Sequence, residues 1–208
     1  MMRGEIIVEL DGWRKVYESR SLVIGFAKIL SIVMGAPADT ALGTSGPITS
    51  ATVTDVNSVT KTIYGEWYAD YIYNGGGTPL AFNASAGDDS YGIVVGTGTT
   101  VVTSEDFKLA SKIRHGTSTG QLIYGEQSLA YSYGDTVSYV EISRVFTNNS
   151  GGIVTVRETG LIGRNYWKDE NAVRNDVLFL VARDVLSPPV SVPNLHLLTV
   201  RYRLTLEV

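Results

Sequence analysis

The sequence predicts a mainly β chain: an antiparallel, jelly-roll-like β-sandwich with one buried N-terminal helix and one short helix in mid-chain. Three observations predict it. The last run alternates strictly, with Leu198, Val200, Tyr202, Leu204, Leu206 and Val208 between Thr199, Arg201, Arg203, Thr205 and Glu207, the period of a strand with one apolar face. Short β-branched or aromatic runs recur along the chain, separated by Asp-Gly, Asn-Gly and Gly-Gly, which mark turns. Charged residues are only 18% of the chain, while it holds 22 Gly and 12 Tyr, a composition suited to strands whose surface meets partners.

At 208 residues the chain is long enough for one domain with a sizeable core. We divide it into residues 1–35, a hairpin and helix belonging to the main domain, 36–90, an inserted region, and 91–208, the sandwich core. A net charge of −4 gives no basic footprint for nucleic acid or an anionic membrane. With no cysteine, disulfides, thiolate metal sites and thiol catalysis are excluded. The opening MMRGEIIVELDG lacks an apolar signal core, so no export sequence is expected.

Taken in order, Glu5–Leu10 and Trp13–Tyr17 flank Asp11-Gly12, a strong short-hairpin signal because both turn positions favour positive φ. Ser19 or Ser21 then caps an expected helix from Leu22 to Met34, ended by Gly35 and Pro37. Leu22, Phe26, Ile29, Leu30 and Val33 help cover nearly every side of it, so it is expected to be buried in one subunit or among several. It would span roughly 20 Å, against a bilayer core of about 30 Å, so no membrane span is expected. Ile48–Val56 and Val59–Tyr73 read as a hairpin across Asn57-Ser58, its second arm carrying Trp67, Tyr68, Tyr71 and Tyr73. Those aromatics either cover a core edge or form a contact surface for protein or glycan.

Ile93-Val94-Val95 reads as a buried strand, broken by Gly96 and Gly98, whose freedom of backbone angle suits a tight turn. Thr103-Ser104-Glu105-Asp106 then has the chemistry of a helix start, with Phe107, Leu109 and Ile113 on one side of about two turns. The GTGTT motif lacks the Gly-Lys-Ser/Thr ending of a Walker loop and the third glycine of a dinucleotide fingerprint, so no cofactor is expected. Short strands follow at Leu122–Tyr124 and Ser128–Tyr131, then a hairpin of Val137–Thr147 and Ile153–Leu161. Residues 164–176 read as a polar loop, and Val177–Val185 as a central strand ended by Ser187-Pro188-Pro189.

The stretches VVGTGTTVVTSEDFKLASKI, SRVFTNNSGGIVTVRETGLIGR and LFLVARDVLSPPVSVPNLHLLTVRYRLTLEV resemble a recurrent family of tailed-bacteriophage virion proteins. The resemblance covers Tyr91 to Val208, is most specific in VARDVLSPPVSVP, and has a weaker echo in SLVIGFAKILSIVMG. It implies a structural protein of the virion's head, neck or tail that contacts other virion proteins. Self-assembly is expected too, as a trimer first and a larger ring second.

Little points to an enzyme. His115 and His196 have no metal-binding spacing. The carboxylate pairs Asp88-Asp89, Glu105-Asp106 and Asp169-Glu170 fall at loops or a helix start, where solvation or capping explains them. Asp88-Asp89-Ser90 offers hard oxygen ligands for calcium without EF-hand spacing. The rival functions are a glycan-binding receptor module using Trp67, Tyr68, Tyr71 and Tyr73, and more distantly a polysaccharide hydrolase. One pair stands out. Arg144 alternates with Val140, Ile142 and Phe146, and Glu158 with Val154 and Val156. Folding that hairpin about Ser150-Gly151 sets the two charges opposite or diagonal on the apolar side, either as a buried ion pair or, where that face is not core, both solvated.

Overall fold

In the structure, a computed structural model of the chain, residues 2–19, 22–23, 27, 50–64, 81–168 and 174–207 are described. The chain is mainly β, and all ten named elements among those residues are strands in antiparallel sheets. They are β1 Met2–Leu10, β2 Trp13–Glu18, β3 Ser50–Thr54, β4 Thr60–Tyr64 and β5 Gly92–Gly96, then β6 Ile123–Ser132, β7 Val137–Thr147, β8 Val154–Lys168, β9 Arg174–Val192 and β10 Leu197–Glu207.

The alternating C-terminal run forms β10 as expected. It sits at the centre of a five-stranded sheet ordered β2-β1-β10-β7-β6. Leu198, Val200 and Tyr202 point into the core with Ile6 and Val8 of β1. The opposite face carries a ladder of ion pairs, Arg14–Glu9–Arg201–Glu141–Arg203, running across β2, β1, β10 and β7. Asp11-Gly12 makes the expected tight turn, with φ of 49° and 80°, and pairs Leu10 with Trp13. Such a turn twists in the sense that neighbouring strands require.

A three-stranded sheet, β5-β8-β9, shares the same core cluster. Its middle is buried on both faces. Every residue of β5 is buried, as are residues 158–163 of β8 and 179–183 of β9. β3 and β4 form a separate hairpin, whose turn is built on buried Asp55. Its Oδ1 accepts from Asn57 and Val59 N–H, each at 2.9 Å, and Oδ2 pairs with Lys61 at 2.8 Å.

Several expectations are corrected. Val137–Thr147 and Ile153–Leu161 are strands but not partners, because β7 joins the five-stranded sheet and β8 the other. The connection is held open by Asn148, whose Nδ2 donates to Gly152 and Val192 carbonyls at 2.7 Å. Its backbone bonds His196 and Leu195, so the chain crosses between sheets instead of turning back. The expected loop at 164–176 is largely strand, since β8 runs to Lys168 and β9 starts at Arg174. β8, not β9, is the central strand of its sheet, and β9 continues through the prolines to Val192.

The helix expected after GTGTT is absent. Thr103 and Asp106 do cap each other, with Thr103 N–H and Oγ1 donating to the Asp106 carboxylate, but the turn is not propagated. The amides that a helix would need are bonded elsewhere, Ala110 and Ser111 to Glu158 and Ile113 to Val95 O. A two-turn helix is too short to outcompete such bonds. Leu22 is 56% exposed and bridges Ala182, while Val23 is buried and bonds Val181 O, so this end of the expected buried helix is extended chain along β9. Phe26, Ile29, Leu30 and Val33 lie outside the described residues, as do Trp67, Tyr68, Tyr71 and Tyr73.

Candidate functional site

Both charges singled out by strand phase are buried, Arg144 at 1% and Glu158 at 0% exposure. They do not pair. Each has its own cage, and each cage fastens a different part of residues 81–122 to the sheets.

Arg144 reaches from β7 to the edge of β5. Its Nε donates to Gly125 O at 2.9 Å, Nη1 to Tyr91 O and Ile93 O at 3.2 and 3.1 Å, and Nη2 to Ser85 O and Asp88 O at 3.0 and 2.5 Å. A guanidinium has five N–H donors, and all are used on carbonyls. The Tyr124 ring lies beneath, 4.9 Å from the guanidinium carbon, adding a cation–π contact. With dipoles in place of a carboxylate partner, burial draws the Arg144 pKa below its ordinary value.

The free edge of β5 is closed by side chains. Ile93 N–H donates to Gln127 Oε1 at 2.6 Å, and Val95 N–H to Tyr124 Oη at 3.4 Å. The Tyr124 hydroxyl itself donates to Ile113 O at 2.5 Å. Tyr124 and Gln127 are three apart and would face opposite ways on a regular strand. A β-bulge between them turns both inward. Burial raises the Tyr124 pKa well above its usual value, so it serves here as a neutral donor and acceptor.

The second cage pins residues 97–113 across β8. Glu158 Oε1 accepts from Gly98 and Ser111 N–H at 3.0 and 2.7 Å, and Oε2 from Ala110 N–H at 3.1 Å and Arg183 Nε at 2.8 Å. Arg183 extends the network to Asp106 Oδ2 at 2.8 Å and to the Thr100 carbonyl and hydroxyl at 3.1 and 2.8 Å. Thr159, one residue on, faces the other way and bonds Tyr202 of the five-stranded sheet at 3.4 Å. The correction to the expected Arg144–Glu158 pair is therefore one of topology. Both side chains turn inward, but from strands of different sheets onto different segments.

This packing also explains the two glycines. Neither Gly96 nor Gly98 has positive φ, so backbone freedom is not their role. A Cβ on Gly96 would lie 2.5 Å from Ser111 O and 2.6 Å from Glu158 Oε1, and one on Gly98 2.7 Å from Ala110 Cβ. Gly96→Ala is expected to cost about 1–3 kcal/mol by overpacking, and to speed protease cleavage within residues 97–113. Unchanged melting and cleavage would show that the strap is not seated this closely.

Electrostatics give a pH dependence. Burial opposes ionisation of Asp106, but hydrogen bonds from Arg183 and Thr103 win and hold its pKa below the usual carboxylate value. Asp55 and Asp89 are depressed in the same sense, with Lys61 and Lys112 among their partners. A depressed folded pKa gives stability that is present above the unfolded value, about 3.9, and is lost as pH falls through the folded one. Stability is therefore expected to decline below about pH 4–5, and Asp106→Asn should flatten part of that decline in urea titrations across pH.

These carboxylates are spent on binding protein groups. Asp89 also accepts His115 N–H at 2.7 Å beside its Lys112 pair at 3.0 Å, and Asp88 Oδ1 accepts from Ser90 N–H and Oγ, leaving neither poised for calcium. His115 Nδ1 accepts Tyr124 N–H, and His196 is paired with Asp11. Among the described residues no group of three or more His, Asp or Glu is placed to hold a metal. Sequence reasoning missed Arg183, Asp106, Tyr124 and Gln127. Arg183 carried a signal, a cation that with Asp184 interrupts the apolar run from Val177 to Leu186.

One group of exposed apolar side chains lies at a corner of the five-stranded sheet. Tyr131, Val140 and Leu204 line up across β6, β7 and β10, with Leu129 and Leu206 beside them, and all five are exposed. No family model, curated protein or solved structure matches the chain.

Proposed function

We propose that the chain is a non-enzymatic structural component of a tailed-bacteriophage virion, located on the head, neck or tail, which works through protein–protein contacts. The observation that carries this reading is how the described buried charges are used. Arg144, Arg183 and Glu158 are saturated by backbone groups and by one another, with Asp106 and Thr100 completing the Arg183 contacts, which suits a scaffold. Two sheets sharing one core cluster support a β-sandwich, and the resemblance of residues 91–208 to virion proteins supplies the setting. The exposed apolar corner supports assembly with siblings or other virion proteins.

A glycan-binding role has one observation in its favour. Tyr131 and Tyr133 are exposed at 61% and 77%, with ring centroids 5.3 Å apart, a platform on which a sugar face could stack. Mass spectrometry of purified particles of the encoding virus tests the main reading. The chain should be present in multiple copies per particle. Its absence from particles, with abundance only in the infected cell, would overturn the proposal.

A further inference from the structure

We propose that the outer edge of β6 is a self-recognition site, at which a second copy of the chain adds its own β6 antiparallel about a two-fold axis through Ala130. β6 is the last strand of the five-stranded sheet. Its first half is covered, since Gln127 N–H bonds Ala84 O and Tyr124 O accepts Gly87 N–H. Beyond that point no described residue covers the edge, and Ser128, Leu129, Ala130, Tyr131 and Ser132 are all exposed. Gln127 N–H faces outward, so by alternation the backbone groups of Leu129 and Tyr131 face outward too. Turned about Ala130, Leu129 of one copy meets Tyr131 of the other, and these outward groups exchange both ladder bonds.

The side chains fit the same register. Ser-Leu-Ala-Tyr-Ser reads small-large-small-large-small in either direction, so an antiparallel copy sets Leu129 against Tyr131 twice, on the face that carries Val140 and Leu204. Exposed edges ordinarily carry a lysine, proline or other charge against such pairing. Gln127 to Gly134 holds none, and the nearest carboxylates, Glu126 and Asp135, fall outside the paired five residues. The covered half of each β6 lies beyond the end of the other strand, so segment 84–87 does not obstruct. The contact closes at two copies, in place of the trimer expected from composition, and it stands on the sheet edge alone, independent of the virion assignment.

Sedimentation of the full chain over a range of concentrations should show a monomer–dimer equilibrium. Tyr131→Lys should weaken it about tenfold or more, since each dimer gains two edge lysines, with melting unchanged at concentrations where both proteins are monomeric, because the side chain is exposed there. The chain has no cysteine, which permits a sharper test. Two Ala130 residues would form a non-hydrogen-bonded pair with Cα atoms about 4.5 Å apart, within disulfide reach. Ala130→Cys should crosslink under copper-phenanthroline far faster than Val101→Cys, a control at an 85% exposed site. A chain monomeric at all concentrations, a trimer, wild-type association by Tyr131→Lys, or equal crosslinking at the two sites would each overturn the proposal.

Discussion

Arg144→Met is expected to give the largest loss of stability of any single change in the described core. It removes five donors at once and leaves the carbonyls of Ser85, Asp88, Tyr91, Ile93 and Gly125 without them. A buried acceptor left alone costs about 1–3 kcal/mol. Water entering the vacated space recovers part of the total, so a net loss of about 4–6 kcal/mol is expected in urea unfolding. Arg144→Lys should rescue little, because an ammonium has three donors and no planar fork. A cost below about 1 kcal/mol for the methionine variant would mean that the carbonyls do not depend on the guanidinium.

Arg183→Met should follow at about 3–5 kcal/mol, the cost of leaving a buried carboxylate without its cation. Glu158 would keep its three backbone donors, and Asp106 those from Thr103, but neither would have a counter-charge among its contacts. Glu158→Gln should also destabilise, since its amide nitrogen cannot accept from either Arg183 Nε or Ala110 N–H. A double-mutant cycle separates direct contact from mere co-burial. Glu158 and Arg183 touch at 2.8 Å and should couple by about 1–3 kcal/mol, whereas Arg144 and Glu158 share no partner and should be additive within about 0.5 kcal/mol. Strong coupling of the second pair would restore the direct ion pair that strand phase had suggested.

What the sequence made legible was local. The alternation of β10, the Asp11-Gly12 turn, the buried run of β5 and the limits of β7 all depend on neighbours within a few residues. The inward direction of Arg144 and Glu158 was equally readable from their phase. Their partners were not, because they depend on which sheet each strand joins. Asn-Asn-Ser-Gly-Gly looks like a hairpin tip, yet Asn148 spends its side chain on Val192 and its backbone on the segment before β10. Residues 103–113 failed as a helix for a related reason. Their start has helical chemistry, but a carboxylate contributed by β8 claims the amides of Ala110 and Ser111. The bulge that brings Tyr124 and Gln127 to one face has a mark in the sequence, Gly125 inside the strand, but that mark does not say which side chains turn inward or what they meet, so the capping of the β5 edge was missed.

Buried charges act as locks that hold residues 81–122 to the sheets. Amide hydrogen exchange reads this most directly, comparing the wild-type chain with Glu158→Ala, which removes both acceptor oxygens. In the wild type, the amides of Gly98, Ala110 and Ser111 should exchange nearly as slowly as those of β7 and β10. In the variant these three should become fast while β7 and β10 stay protected, a local opening of the strap. Fast exchange at these amides in the wild type, or uniform loss of protection in the variant, would contradict the claim that Glu158 holds the strap in place.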